Sequence, residues 1–207
     1  MKSELEKIKS MDIKNYEIIL ASGSPRRKAF FEEMGIPFKQ KVINIEEVFP
    51  ESLSDSAIVE YLIKLKAEPF KSKIQEKQIV ITADTIVWHQ GQYLGKPKNK
   101  KEARNMLLAL SGSTHQVITA VGFLQKRKWE SICCCSEVQF STINPKAIEA
   151  YIASGSPLDK AGAYGIQDSF GKRYVSSING SYTNIIGLPV AQVLRKLEEI
   201  IHHEITS

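Results

Sequence analysis

Apolar residues recur along this chain with two different periods, and the places where the period changes mark its elements. Tyr16 to Leu20 is a short β-rich run, broken by Ser22-Gly23-Ser24-Pro25. From Pro25 the spacing becomes helical, with proline at the first position, Ala29, Phe30 and Met34 on one side, and Gly35 as a stop. Phe38 to Ile45 is predicted as a strand. Ser54 to about Phe70 is predicted as a helix whose apolar stripe is Ile58, Leu62 and Leu65. "QIVITAD" reads as a buried strand ending on a carboxylate, and "TIVWHQGQYLGKP" as a hairpin turning at Gln90-Gly91. Asn99 and Glu102 have capping spacing ahead of "EARNMLLALSG", a helix stopped by Gly112. Gln116 to Phe140 holds two strands, and Asn144-Pro145 opens a helix that ends near Ser154-Gly155. Tyr174 to Ile178 is a strand before the turn Asn179-Gly180, and a last helix starts about Pro189. This alternation predicts an α/β protein with one mixed sheet.

The pentapeptide ASGSP occurs twice, at Ala21–Pro25 and Ala153–Pro157. The first copy follows a predicted strand and begins a helix, whereas the second leaves one. Nothing beyond the five residues repeats, so the chain is not an internal duplication. At 207 residues it can bury one substantial core. Its 43% hydrophobic content excludes a disordered chain, and a net charge of +5 favours anionic partners without naming one. The three cysteines are consecutive, Cys133 to Cys135, and neighbours in a strand point to opposite faces. They offer neither a disulfide nor a metal knuckle, and read as strand filling in a reducing cytoplasm. The charged start, "MKSELEKIKSMDIKNY", has no apolar core and is not read as a signal peptide. No apolar run reaches membrane-spanning length.

Three stretches carry candidate chemistry. In "SGSPRR" a strand-to-helix turn leaves backbone N–H groups free for an anion, with Ser22 and Ser24 as hydroxyl donors and Arg26 and Arg27 as fork-shaped cations. The alternative is a capped helix with two solvated arginines. In "VITADT" a carboxylate just past a buried strand stands where α/β sheets bind ligands, and Asp84 there can hold a metal or act as a base. Lys96 in "LGKP", brought back by the hairpin, can neutralise a phosphate. In "LDKAGAYGIQ" the small residues Ala161, Gly162, Ala163 and Gly165 allow close backbone approach, bracketed by Asp159, Lys160 and Gln167. The alternative is a tight irregular loop. Phosphate-loop and dinucleotide-loop patterns are absent, as are a nucleophile elbow and zinc spacing of histidines with cysteines. His115 reads as a structural hydrogen-bonder.

In order from about Ile18 to Leu194, "LASGSPRR", "ADTIV", "LGKP", "EARNMLLALSGSTHQVITAV", "PLDKAGAYGIQ" and "INGSYTNIIGLP" resemble the Maf family of nucleoside triphosphate pyrophosphatases. "AGAYGIQ" is similar to the branch acting on dTTP and UTP. The resemblance implies hydrolysis between the α and β phosphates with a divalent cation, magnesium or manganese. It implies an elongated mixed β-sheet flanked by helices, with two lobes and a cleft between them, as in the Maf and ITPase-like folds. Residues 16–207 would form that single domain after an N-terminal extension, 1–15. Carried over by position, Asp84 is the family's proton acceptor, and Arg26, Thr85 and Gln167 its specificity positions. Ser22, Arg27, Glu46, Lys66 and Lys96 match polar residues of its cleft, with Glu46 and Asp84 as metal ligands and Lys64 a competing choice for Lys66. Two places depart from the pattern: Gly155-Ser156 stands where an acidic residue is usual, and Asp168 where glycine is common. The expected partner is a nucleoside triphosphate in the cytoplasm, with a homodimer as in many family members and neither nucleic acid nor membrane. The competing functions are a 7-methyl-GTP-type pyrophosphatase and a non-catalytic nucleotide-binding regulator of cell division.

Overall fold

A computed structural model of the chain describes residues 12–205, and the expected alternation appears in it as one mixed seven-stranded sheet. Strand β1 (Glu17–Leu20) runs parallel to β2 (Phe38–Gln40) on one side and to β3 (Gln78–His89) on the other. The far edge of β3 pairs antiparallel with β5 (Thr114–Leu124), followed by β6 (Trp129–Phe140) and β7 (Val175–Asn179). The expected hairpin is present: Gln90 and Gly91 both take positive φ, and β4 (Gln92–Leu94) folds back on β3.

The alternation of side chains along β3 assigns its two faces. Ile79, Ile81 and Ala83 join a core with Phe31 and Met34 of α1 (Pro25–Met34) and with Val193, Leu197 and Ile201 of α7 (Val190–Ile205). Val80, Thr82, Asp84 and Ile86 face the other way, toward α2 (Asp55–Ala67). There Ile58, Val59, Leu62 and Ile63 bury against Ile86, Ile118 and Ala120, each contributing about 1.5–3 kcal/mol. Thr82 donates to the Ile63 carbonyl at 2.9 Å and locks that helix to the strand. The remaining helices are α3 (Lys100–Leu110), α4 (Pro145–Ala153), α5 (Ser169–Tyr174) and α6 (Tyr182–Ile186).

Several boundaries differ from the sequence reading. The buried side of α1 is Phe31 and Met34, while Ala29 is exposed and Phe30 half-buried. The strand expected over Phe38 to Ile45 stops at Gln40, because β1, its one partner among the described residues, ends at Leu20. The short helices α5 and α6 were not anticipated; five or six residues are too few to show a helical period. The cysteines are free and lie in the middle of β6, ahead of the residues that pair with β7, with Cys133 and Cys135 exposed. Residues 1–11 of the expected N-terminal extension lie outside the described residues, and Ile13 packs into the core formed by α1 and α7. Among the described residues no helix is long and apolar enough to cross a membrane.

One further difference positions the site. Asp84 does not lie past the end of β3, which continues to His89. It is the neighbour that ends. β1 pairs with β3 only as far as Leu20 opposite Ile81, and β4 takes up the same edge again at Val87. Between them, among the described residues, no strand lies beside this edge of Thr82 to Ile86.

Candidate active site

A cavity of about 630 Å³ opens at this gap in the sheet. One wall is the Ser22–Arg27 turn with Asp84, Thr85 and Lys66, and the loop carrying Val42 and Glu47. The other is the 159–168 segment with Ile185 to Gly187, and Lys96 also lines it. The sequence-predicted residues Ser22, Arg26, Arg27, Lys66, Asp84, Thr85, Lys96 and Gln167, scattered over 146 positions, therefore share one cavity.

Asp84 shares a face of β3 with Ile86 and so points toward α2. Lys66, one turn beyond Leu62 on that helix, meets it: Lys66 Nζ lies 2.6 Å from Asp84 Oδ1. The same ammonium lies 2.9 Å from Glu47 Oε1. Lys64 is exposed and does not line the cavity. Burial by itself raises the Glu47 carboxyl, but the charge and hydrogen bond of Lys66, helped by Lys96 and Arg27, hold it below the usual range. Tyr93 answers the same field. Burial, and then the charges of Asp84 and Glu47, push its phenol up to about 12.

Glu46, expected among the metal ligands, is exposed and does not line the cavity, whereas Glu47 does. In an irregular stretch no strand or helix period decides which of two adjacent glutamates turns inward. Their adjacency in "INIEEVF" is a signal that one of them faces Lys66, and only the packed loop selects which.

Arg27 has a different setting from the one its sequence suggests. Its Nε donates to the Gly187 carbonyl at 2.9 Å, one terminal nitrogen to Ala83 O at 3.0 Å and Ser22 Oγ at 3.3 Å, and the other to Thr85 Oγ1 at 3.0 Å. Four of its five N–H groups are thereby committed within the protein. The Ala83 carbonyl belongs to the unpaired edge of β3, so Arg27 satisfies a backbone group that no strand reaches. Thr85 continues inward through Thr119 Oγ1 at 2.9 Å to the Asn184 carbonyl at 3.0 Å. Burial pulls the Arg27 pKa down, opposed chiefly by Asp84, and a guanidinium remains charged through such a shift.

On the far wall Arg26 reaches across to Asp159 Oδ2 at 3.1 Å. Gln167 is exposed, lines the cavity, and its carboxamide bonds to none of the described residues. The side chain is available to a ligand and does not tie the loop down. Ser156 and Asp168, the two departures from the family pattern, meet each other: Ser156 Oγ donates to Asp168 Oδ2 at 2.9 Å. Behind this wall His115 is buried with Nε2 2.7 Å from the Tyr164 hydroxyl. Desolvation, with His89 nearby, holds His115 down at about 3, so it is neutral and structural, as expected.

The donor set fits a divalent cation. Two carboxylates, Asp84 and Glu47, converge on one ammonium nitrogen, a place already suited to positive charge. Among the described residues no three His, Cys, Asp or Glu side chains gather at one point. Magnesium and manganese favour oxygen ligands, and magnesium commonly takes one or two carboxylates and completes its shell with water and phosphate oxygens.

The Maf-like protein family matches this chain over residues 17–200. A dTTP/UTP pyrophosphatase of Flavobacterium johnsoniae is 42% identical over 189 residues, covering 91% of this chain and 97% of that one. A dTTP/UTP pyrophosphatase of Christiangramia forsetii is 44% identical over 190 residues, covering 92% and 97%. Among solved structures, a HAM1 protein from Coxiella burnetii aligns with a TM-score of 0.47 and 15% identity over 89% of this chain and 99% of that one, too distant a likeness to bear on function.

Proposed function

The chain belongs to the Maf-like family, and on that footing we propose that it hydrolyses dTTP and UTP to the nucleoside monophosphate and pyrophosphate. The observation that carries this reading is the single cavity in which an acid pair bridged by Lys66, a further lysine and a free carboxamide face one space. About 630 Å³ is the size of a small-molecule site. Phosphoryl transfer requires mostly positioning and charge neutralisation, which this composition supplies.

Asp84 and Glu47 would hold the divalent cation, which when bound polarises a phosphate oxygen and lowers the pKa of an attacking water. Lys66 occupies Asp84 Oδ1, leaving Oδ2 either to meet that cation beside Glu47 or to accept the proton of a water that attacks the α-phosphorus. The bond from that phosphorus to the β-phosphate bridging oxygen breaks, and pyrophosphate leaves with its charge balanced by Lys96 and Arg26. Arg27 and Thr85 shape the floor from behind, their polar groups already bonded to the protein. Gln167 matches the alternating acceptors and donor of a pyrimidine edge. Residues 16–207 act as one domain in this reading, since the site draws on segments from Ser22 to Gly187.

A panel of nucleoside triphosphates that includes 7-methyl-GTP, with magnesium or manganese, tests the proposal when pyrophosphate and orthophosphate are measured separately. The expected outcome is pyrophosphate from dTTP and UTP, abolished by a chelator. Orthophosphate with a diphosphate product contradicts the assigned bond, and binding without turnover favours a regulator.

A further inference from the structure

Gln167 holds the third place of a four-residue turn, Gly165–Asp168, closed by the Asp168 N–H donating to the Gly165 carbonyl at 3.1 Å. Both ends of this turn are held by one hydroxyl. Tyr151, on α4, accepts from the Gly165 N–H at 3.2 Å and donates to Asp168 Oδ2 at 2.5 Å. Ser156 Oγ donates to the same carboxylate oxygen, and Lys160 Nζ lies 3.7 Å from it. Asp168 stands at the N-cap of α5, yet its carboxylate makes no capping bond there and is turned to Tyr151. A cap normally stabilises a helix by about 1 kcal/mol, so the carboxylate has been diverted from a favourable local use.

The surroundings leave this clamp little freedom. The Tyr151 ring stacks on Phe170 with centroids 4.3 Å apart and planes 8° from parallel. A Cβ on Gly165 would lie 2.8 Å from the Asp168 carboxylate, and one on Gly171 would lie 2.3 Å from the Gly165 carbonyl oxygen. Burial, and next the bond to Asp168, raise the Tyr151 pKa, so the hydroxyl stays protonated and keeps donating. Tyr151 does not line the cavity. The one side chain of the turn that is exposed to the cavity and unbonded is the one the clamp presents.

From this geometry we propose that Tyr151 and Asp168 are positioning residues for substrate selection, which hold Gln167 toward the nucleobase and set the pyrimidine preference through it. The inference rests on the reading of Gln167 as the residue that meets the base. Tyr151→Phe keeps the ring and its stacking and removes only the hydroxyl. Its expected effect is a loss of about tenfold in kcat/KM for dTTP and UTP, mainly in KM, with dGTP and GTP unchanged. Asp168→Asn should move the same ratio in the same direction by less, and it decides the matter if Tyr151→Phe does not fold. In a Gln167→Ala background, Tyr151→Phe should leave the pyrimidine-to-purine ratio where Gln167→Ala put it. If Gln167→Ala alone leaves the ratio unchanged, the base-reading role fails, and positioning with it. If Gln167→Ala collapses the ratio while both other variants preserve it, positioning alone is overturned. An equal loss for every nucleotide would reduce the clamp to scaffold.

Discussion

The two copies of ASGSP have the same letters and opposite structural uses. In the first, Ala21 continues from β1 by donating to the Ile81 carbonyl at 2.8 Å, Ser24 caps α1 in an extended conformation, and Pro25 begins the helix. In the second, Ala153 is the last residue of α4, Gly155 takes φ +75°, and Ser156 starts a 3-10 turn. Each copy supports one wall of the cavity through a serine. Ser22 Oγ receives Arg27 on the wall that holds Asp84, and Ser156 Oγ braces Asp168 beneath Gln167. The walls then differ in what they leave free. On the first, the conspicuous cation Arg27 is nearly saturated by protein acceptors; on the second, the neighbours are saturated and Gln167 is not. A charged residue beside a site can be its frame, and a neutral one its reader.

The largest effect that separates the walls is expected at Asp84. Asp84→Asn should lower kcat on the order of a hundredfold or more, alike for every nucleotide, with the protein still folded. A folded variant with near-native kcat would remove Asp84 from the chemistry. Next is Arg27→Lys, which keeps the charge but not the fork that reaches Gly187, Ala83, Ser22 and Thr85. Stability should drop by about 2–3 kcal/mol, read as a Tm lower by roughly 5–10 °C, again without altering nucleotide preference. An unchanged Tm would return Arg27 to the role of a free phosphate ligand.

The smallest effect is the most direct comparison, because the same substitution is made in both pentapeptides. Gly155 has a left-handed φ, and nothing lies within 4 Å of the place its Cβ would take, so Gly155→Ala meets strain and no clash. It should cost about 1 kcal/mol. Gly23 has no such φ, and its Cβ would only touch Val42, at an ordinary 3.5 Å from Cγ1 and 3.7 Å from Cγ2. Gly23→Ala should stay within about 0.5 kcal/mol of neutral or stabilise slightly by restricting the unfolded chain. Equal Tm shifts would mean that the two copies do not differ as described.

Most of the elements were legible in the sequence, and of the residues it named for the site all but Glu46 line the cavity, for identifiable reasons. Period and capping are local properties, and Asn99 does accept from the Glu102 N–H at 2.9 Å as its spacing required. The order of motifs singled out Asp84, Lys66, Lys96 and Gln167 without any knowledge of distance, and the fold brings them to one cavity. The differences fall where a neighbour in space decides. The strand after Phe38 stops because β1 stops, and Glu47, not Glu46, lines the cavity because an irregular loop has no period to read.

By itself, then, the sequence determined the alternation of strand and helix, the ends of its longer helices, and which residue types could handle a triphosphate. Local backbone preference and side-chain period are written in consecutive residues, so they survive without the fold. The tertiary structure alone decided that β3 runs on past Asp84 beside a gap, that Lys66 bridges two carboxylates, and that Arg27 is spent inside the protein while Gln167 is left unbonded. Each of these depends on which separate segments of the chain pack side by side. A donor's availability is a property of what packs around it, which no stretch of its own sequence records.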